Sequence, residues 1–230
     1  MALAIFDMDD TLVDGDSSNL WLRYQVAHGL APAEMLPYEA ELLRAYYAGD
    51  LAMEDYMDYT LTPLCGMTHA EVKHWVDRFI EEEIVPRIFP QAWRQLERHR
   101  ERGDRLLVIS ATGEHLVGPI AQRLGVADAI GIQLELEGGV YTGRTCGVLS
   151  YREGKVSRLH AWLEQHGETL AGSYGYSDSL NDIPLLRAVD KPHVVNPDNT
   201  LRQEATRRLW AELTWQHENA DLSSELRTRG

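Results

Sequence analysis

The chain opens on an apolar run. Residues 3–6 read Leu-Ala-Ile-Phe, too short for a helix and without a polar face, which predicts a strand buried on both sides. The run stops at Asp7, and Asp9, Asp10, Asp14 and Asp16 crowd the stretch that follows. From residue 15 to residue 88 the pattern is helical. SSNLWLRYQVAHG has a serine start and a glycine stop, and PAEMLPYEAELLRAYYAGD, MEDYMDYTLTPL and THAEVKHWVDRFIEEEIVP follow. The last begins with Thr68 three residues before Glu71, the spacing of a capping box.

Beyond Pro90 the pattern alternates. QAWRQLERHRERG predicts a helix, RLLVIS a buried strand and GEHLVGPIAQRLG a helix. AIGIQLELEGGVYTG predicts a hairpin turning at Gly138-Gly139. KVSRLHAWLEQHG (helix), GSYGYSD (strand end), SLNDIPLLRAV (helix), PHVVN (strand) and NTLRQEATRRL (helix) complete the order. Strands alternating with helices predict an α/β fold, a Rossmann-like parallel sheet with helices on both faces. The expected core is 1–14 and 89–215, interrupted by a helical insert, 15–88, and followed by a polar tail, 216–230.

Composition narrows the function. At 44% apolar and 25% charged residues, the 230-residue chain reads as soluble and globular. A formal charge of −14 argues against a nucleic-acid groove and against anionic membrane surfaces. No basic, apolar leader opens the sequence, and the expectation is a cytoplasmic protein. Cys65 and Cys146 are far apart and form no metal-type pair, and the nine histidines show no HxH or HExxH spacing, so zinc is not expected.

Four stretches stand at predicted strand ends, where open α/β sheets bind ligands. Asp7 and Asp9 are two apart on extended chain and share a face, where a hard divalent cation would offset their repulsion. Ser110, with the amides of the turn after it, including Ala111, suits a phosphate oxygen. Lys155 stands near a helix start and can reach a phosphate as a point charge. Asp178 and Asp182 flank a turn into a helix and could complete a metal site. Taken singly, each has a plainer reading: an acidic turn, a helix cap, a solvated lysine, a cap cluster.

Together and in this order they resemble the haloacid dehalogenase superfamily of phosphotransferases. The matching pieces are DMDDT at 7–11, Ser110, Lys155 and SDSLND at 177–182, spread over nearly the whole chain. The helical insert resembles that family's cap of the phosphoserine-phosphatase type. The resemblance implies that Asp7 is a nucleophile forming an aspartyl phosphate and Asp9 a general acid and then base. It implies Mg²⁺ among Asp7, the Asp9 carbonyl and Asp178, with Asp182 in support, and phosphoryl binding by Ser110, Ala111 and Lys155. Thr11 would fix the loop, and Asn181 would order the last motif. Asp10 is expected to be a solvent-facing turn residue.

The insert bears on the substrate, a small-molecule phosphate ester. In related phosphoserine phosphatases a cap glutamate meets the amine and a cap arginine the carboxylate. Asp16 stands at the glutamate position, and no Lys or Arg occurs between Arg44 and Lys73. Residues 15–88 hold 13 acids against 5 bases. Both features favour an amine-bearing ester without a carboxylate, with L-histidinol phosphate the leading candidate. Trp21, Tyr24, Tyr46, Tyr47, Tyr56 and Tyr59 could supply an aromatic wall for a ring or cation, although packing is the commoner role for any one of them. Phosphoserine is the alternative substrate and would need an arginine from elsewhere, Arg44 or Arg23. A phosphotransferase shares the same intermediate. The expected assembly is a monomer or homodimer.

Overall fold

The computed structural model describes residues 2–48 and 50–217, with Tyr47 and Ala48 as backbone only. Among the described residues seven strands form one sheet in the order β4-β3-β2-β1-β5-β6-β7. They are β1 (Leu3–Phe6), β2 (Arg105–Gly113), β3 (Asp128–Glu137), β4 (Val140–Cys146), β5 (Tyr174–Ser177), β6 (Lys191–Val195) and β7 (Ala211–Leu213). All neighbours pair in parallel except β3 and β4, the predicted hairpin.

The buried run of β1 lies at the centre. Its side chains alternate between two helical layers, as a doubly covered strand requires. Ala4 and Phe6 join the larger core, with Ala92 and Leu96 of α5 (Pro90–Glu101) and Leu116 and Ile120 of α6 (Glu114–Arg123). Leu3 and Ile5 face Leu159 and Leu163 of α7 (Glu153–His166) and Leu185 of the helix Ile183–Ala188. A further helix, Asn199–Arg208, sits between β6 and β7.

The helical segment after β1 holds α1 (Ser17–Ala27), α2 (Met35–Ala48), α3 (Met53–Thr60) and α4 (His69–Phe79). The capping box at α4 forms as expected. The Thr68 amide donates to Glu71 Oε2 at 2.8 Å and the Glu71 amide to Thr68 Oγ1 at 3.2 Å. After α4 a π-helical turn, Ile80–Ile84, and a 3₁₀ turn, Val85–Arg87, return the chain to the sheet. The segment is also stitched to β4, with the Gly66 amide on the Tyr141 carbonyl and the Tyr141 amide on the Met67 carbonyl. No helix among the described residues is long and apolar enough to cross a membrane.

Three expectations are corrected. The strand expected at 105–110 runs on to Gly113 through a register break after Ile109, so Ser110 does not adjoin a helix N-terminus. β7 was absent from the sequence reading, because Ala-Glu-Leu at a largely exposed edge carries no apolar alternation. The expected tail begins too early. His217 stacks on Phe89 and lies 3.4 Å from the Asp14 carboxylate, while residues 218–230 of that tail lie outside the described residues.

Candidate active site

β1 lies between β2 and β5; the chain leaves β1 towards β2 and leaves β5 the opposite way, towards β6, which opens a crevice at the ends of these strands. Asp7 follows β1 directly, and its amide continues the ladder to the Tyr176 carbonyl at 2.9 Å. The chain then folds back, with the Leu12 and Val13 amides both donating to the Met8 carbonyl. Asp10 stands exposed at this turn with a φ of 52°, a left-handed conformation uncommon outside glycine and asparagine-like residues. It is exposed, as expected of a turn residue, but it also borders the crevice, and burial pushes its carboxyl up.

The crevice gathers the expected side chains. The Lys155 ammonium, 3% exposed, donates to Asp7 Oδ1 and to Asp182 Oδ2, each at 2.8 Å. Ser177 Oγ donates to the same Asp182 oxygen at 2.7 Å, while Asp182 Oδ1 is buried with no partner. Asp182, expected to support a metal, thus anchors Lys155 through one oxygen and leaves the other open. Thr11 Oγ1 donates to Asp178 Oδ1 at 2.9 Å, accepts the Asp178 amide at 3.0 Å, and stands 3.5 Å from Asp7 Oδ2. The Thr11 hydroxyl therefore clamps the first acidic loop to the last.

Asp9 is held at both oxygens. The Ser17 amide donates to Oδ1 at 2.9 Å, and Thr112 Oγ1 donates to Oδ2 at 2.7 Å. Ser110 Oγ lies farther away, 3.4 Å from Oδ2, and accepts the Thr112 amide at 3.2 Å. Ser150 Oγ fixes the Ser110 carbonyl at 2.6 Å. Asn181 Oδ1 accepts from Tyr151 at 3.3 Å and from Arg152 Nε at 3.2 Å, which ties the last motif to the turn before α7. Arg152 holds a φ of 49° there, and α7 carries Lys155 three residues on.

The electrostatics are those of too many acids for one cation. Burial pushes the Asp7 carboxyl up to about 7, Lys155 opposes the rise, and Asp182 adds to it. Burial and then the charge of Asp7 raise Asp178 well above the usual carboxylate range. Burial works against the charge on Lys155, but Asp182 and Asp7 outweigh it and hold its pKa above that of a free lysine. Among the described residues no three His, Cys, Asp or Glu side chains gather as a full metal cage.

The crevice encloses a cavity of ≈ 140 Å³ lined by Asp7, Asp9, Asp16, Ser110, Ala111, Lys155, Asp178, Asn181 and Asp182, with helical-segment residues over them. Asp16 caps α1 by accepting the Asn19 amide at 3.0 Å, and burial, reinforced by Asp9, pushes its carboxyl up to about 7. Behind it Glu39, buried, accepts from Asn19 Nδ2 and from the Tyr56 hydroxyl, both at 2.8 Å.

Tyr46 and Tyr56 reach the cavity. Trp21 and Tyr24 instead pack on Phe79, and Tyr59 packs on Tyr38. These three take the packing role, the commoner one for such residues, and the Tyr47 side chain lies outside the described residues. Arg23 and Arg44 do not line the cavity: Arg23 Nε donates to Asn19 and Arg44 Nε to the Ala40 carbonyl. Lys155 is the one cation among the described residues lining it. Thr112, Tyr151, Ser18 and Glu39 were missed by the sequence reading. Thr112 carried a signal, since it stands two residues beyond Ser110 on the same strand.

A family model described as haloacid dehalogenase-like hydrolase matches residues 4–187, from β1 through the last acidic motif. The chain belongs to that family. A histidinol-phosphatase of Neisseria meningitidis serogroup C is 39% identical over 218 residues, 93% of this chain and 98% of its own length. Phosphoserine phosphatase SerB1 of Mycobacterium tuberculosis is 31% identical over 91% of this chain and 69% of its own. A crystal structure of a Bordetella pertussis protein of unknown function superposes with a TM-score of 0.87 at 36% identity, covering 92% of this chain and 97% of that one. With such relatives, this haloacid dehalogenase-like hydrolase is an enzyme of the phosphatase kind.

The Asp7–Lys155–Asp182 arrangement makes a prediction. Lys155→Met leaves two buried carboxylates without their cation, and the expected loss in urea unfolding is about 3–5 kcal/mol. A loss below about 1 kcal/mol would show that the three groups are not held as a buried ion cluster.

Proposed function

We propose that this hydrolase is a Mg²⁺-dependent phosphomonoesterase acting through Asp7 on a small phosphorylated amine, histidinol phosphate foremost. The observation that carries the reading is the Asp7 carboxylate itself. It faces the cavity with one oxygen on Lys155 and the other, among the described residues, on the long Thr11 contact alone. Asp7 attacks phosphorus, a P–O bond to the enzyme forms, and the ester P–O bond breaks. Asp9 gives its proton to the departing alkoxide. It then takes one from the water that attacks the aspartyl phosphate, so each turnover returns the proton to Asp9. Lys155, the Ser110 hydroxyl and the Ala111 backbone bind the phosphoryl oxygens.

The acids fit a divalent cation. Two buried carboxylates, Asp7 and Asp182, share one ammonium, half-buried Asp178 stands beside them, and one Asp182 oxygen has no partner among the described residues. Asp7, Asp178 and the Asp9 carbonyl would hold Mg²⁺, with Asp182 in support. When bound, the ion supplies the positive charge that lets an anionic carboxylate approach an anionic ester.

The cavity supports the choice of substrate. Among the described residues lining it there is no guanidinium for a substrate carboxylate, and it is lined by Asp16, Tyr46 and Tyr56. An ammonium placed against Asp16 would return that carboxyl to its charged form. The relative named histidinol-phosphatase, aligned from end to end, points the same way. Phosphoserine is the second reading, favoured by the more distant relative of that name and opposed by the missing arginine. A protein that kept the fold and lost the chemistry is opposed by the intact Asp7, Asp9, Ser110, Lys155, Asp178 and Asp182.

Two measurements test this. Phosphate release with Mg²⁺, from histidinol phosphate and phosphoserine side by side, should favour histidinol phosphate by at least about tenfold in kcat/KM, roughly 1.4 kcal/mol. Asp7→Asn serves as the blank, and Asp16→Ala should raise KM for the amine ester more than for an aryl phosphate. Preference for phosphoserine would overturn the substrate assignment. Separately, Mg²⁺ should raise the Tm of the wild-type chain by mass action, and Asp178→Asn should lose most of that shift. Equal shifts in both would contradict the ligand set.

A further inference from the structure

We propose that Thr112 is a positioning residue for proton donation by Asp9, and that Ser18 of α1 orients it. The inference rests on the phosphomonoesterase reading above. A general acid must keep one carboxyl geometry while its proton moves to the leaving oxygen. Asp9 has two close partners for this. The Ser17 amide meets Oδ1 at 2.9 Å, and the Thr112 hydroxyl meets Oδ2 at 2.7 Å.

The direction of the second bond follows from counting protons. Once Asp9 has given up its proton its carboxylate only accepts, and the Thr112 hydroxyl has a single proton, so in that state the proton points to Asp9. Ser18 Oγ lies 3.3 Å from Thr112 Oγ1, and in that pair Ser18 must then be the donor. The chain of bonds runs from Ser18 through Thr112 to Asp9. Its Thr112 member is buried at 4% exposure, where water does not substitute readily for the hydroxyl. Both close partners donate. They therefore stabilise the carboxylate that Asp9 becomes as its proton passes to the leaving oxygen and the ester P–O bond breaks. The hydroxyls themselves gain and lose no proton.

The arrangement also joins two parts of the fold. Thr112 comes from β2 at the sheet centre, and Ser17 and Ser18 come from the first turn of the inserted α1. Asp9 is thus held from both sides of the cavity, and its aim depends on α1 being seated. Ser110, the polar residue the sequence singles out on β2, is the weaker partner of Asp9 at 3.4 Å.

The test is leaving-group dependence. Thr112→Val removes the hydroxyl and keeps the shape. It should lower kcat/KM on the order of 10²-fold for an unactivated alkyl phosphate, whose alkoxide must be protonated as it leaves. For p-nitrophenyl phosphate, whose leaving group departs as a stable anion, the loss should stay below about threefold, and Thr112→Ser should restore the alkyl ester rate to within about threefold of wild type. Folding of both variants is checked by circular dichroism and urea unfolding. Equal losses on the two esters, or failure of serine to restore the alkyl ester, would overturn the role given to Thr112. A wild-type chain inactive on both esters, or an Asp7→Asn variant that still turns over, would instead remove the phosphomonoesterase reading beneath it.

Discussion

The buried ammonium of Lys155 sits between Asp7 and Asp182 at 2.8 Å from each, on the floor of the cavity. This contact organises the end of the sheet. It draws α7 onto β1 and onto the turn after β5, three elements far apart in sequence. It still leaves the acids in excess, since half-buried Asp178 stands nearby and one Asp182 oxygen has no partner among the described residues. Charge crowding of this kind is costly in a fold selected for stability alone. It becomes useful when a cation and a phosphoryl group arrive, because each relieves part of it.

The remaining architecture delivers residues to that point. β1 is buried on both faces and ends at Asp7, so the attacking group rides on the most constrained strand of the molecule. β5 and β2, its two neighbours, deliver Asp178 on one side and Ser110 with Thr112 on the other. Thr11 bridges the first and last motifs, and Asn181 braces the strained turn at Arg152 that starts α7. The inserted helices roof the site. Through Asp16, Ser17 and Ser18 they also touch the groups that would handle the substrate amine and the leaving-group proton.

Much of this was legible in the sequence, for identifiable reasons. The unbroken apolar run at residues 3–6 and the change to helical periodicity at residue 15 each reflect one dominant burial pattern. The acidic motifs at Asp7 and Asp178 could be placed at strand ends because α/β alternation fixes where those ends lie, whereas Ser110 falls inside β2 and Lys155 in the first turn of α7. The rest depended on tertiary detail. A register break inside β2 carried the strand past Ser110 and brought Thr112 onto Asp9, a shift that periodicity does not encode. Trp21 and Tyr24 share a helix with Ser18, and only packing decided that the rings face Phe79 while Ser18 faces the cavity. Tyr151 lies a hundred residues beyond Tyr46, whose ring it approaches to 5.7 Å across the cleft.

The central claim is that Asp7 takes the phosphoryl group. The direct measurement is an acid-quenched single turnover with an alkyl phosphate and Mg²⁺, followed by peptide mass spectrometry. The account predicts one phosphoryl group on the peptide bearing Asp7, appearing before free phosphate and absent from Asp7→Asn. Phosphate released with no phosphorylated Asp7 peptide at any quench time, under conditions where a synthetic aspartyl phosphate survives, would contradict it.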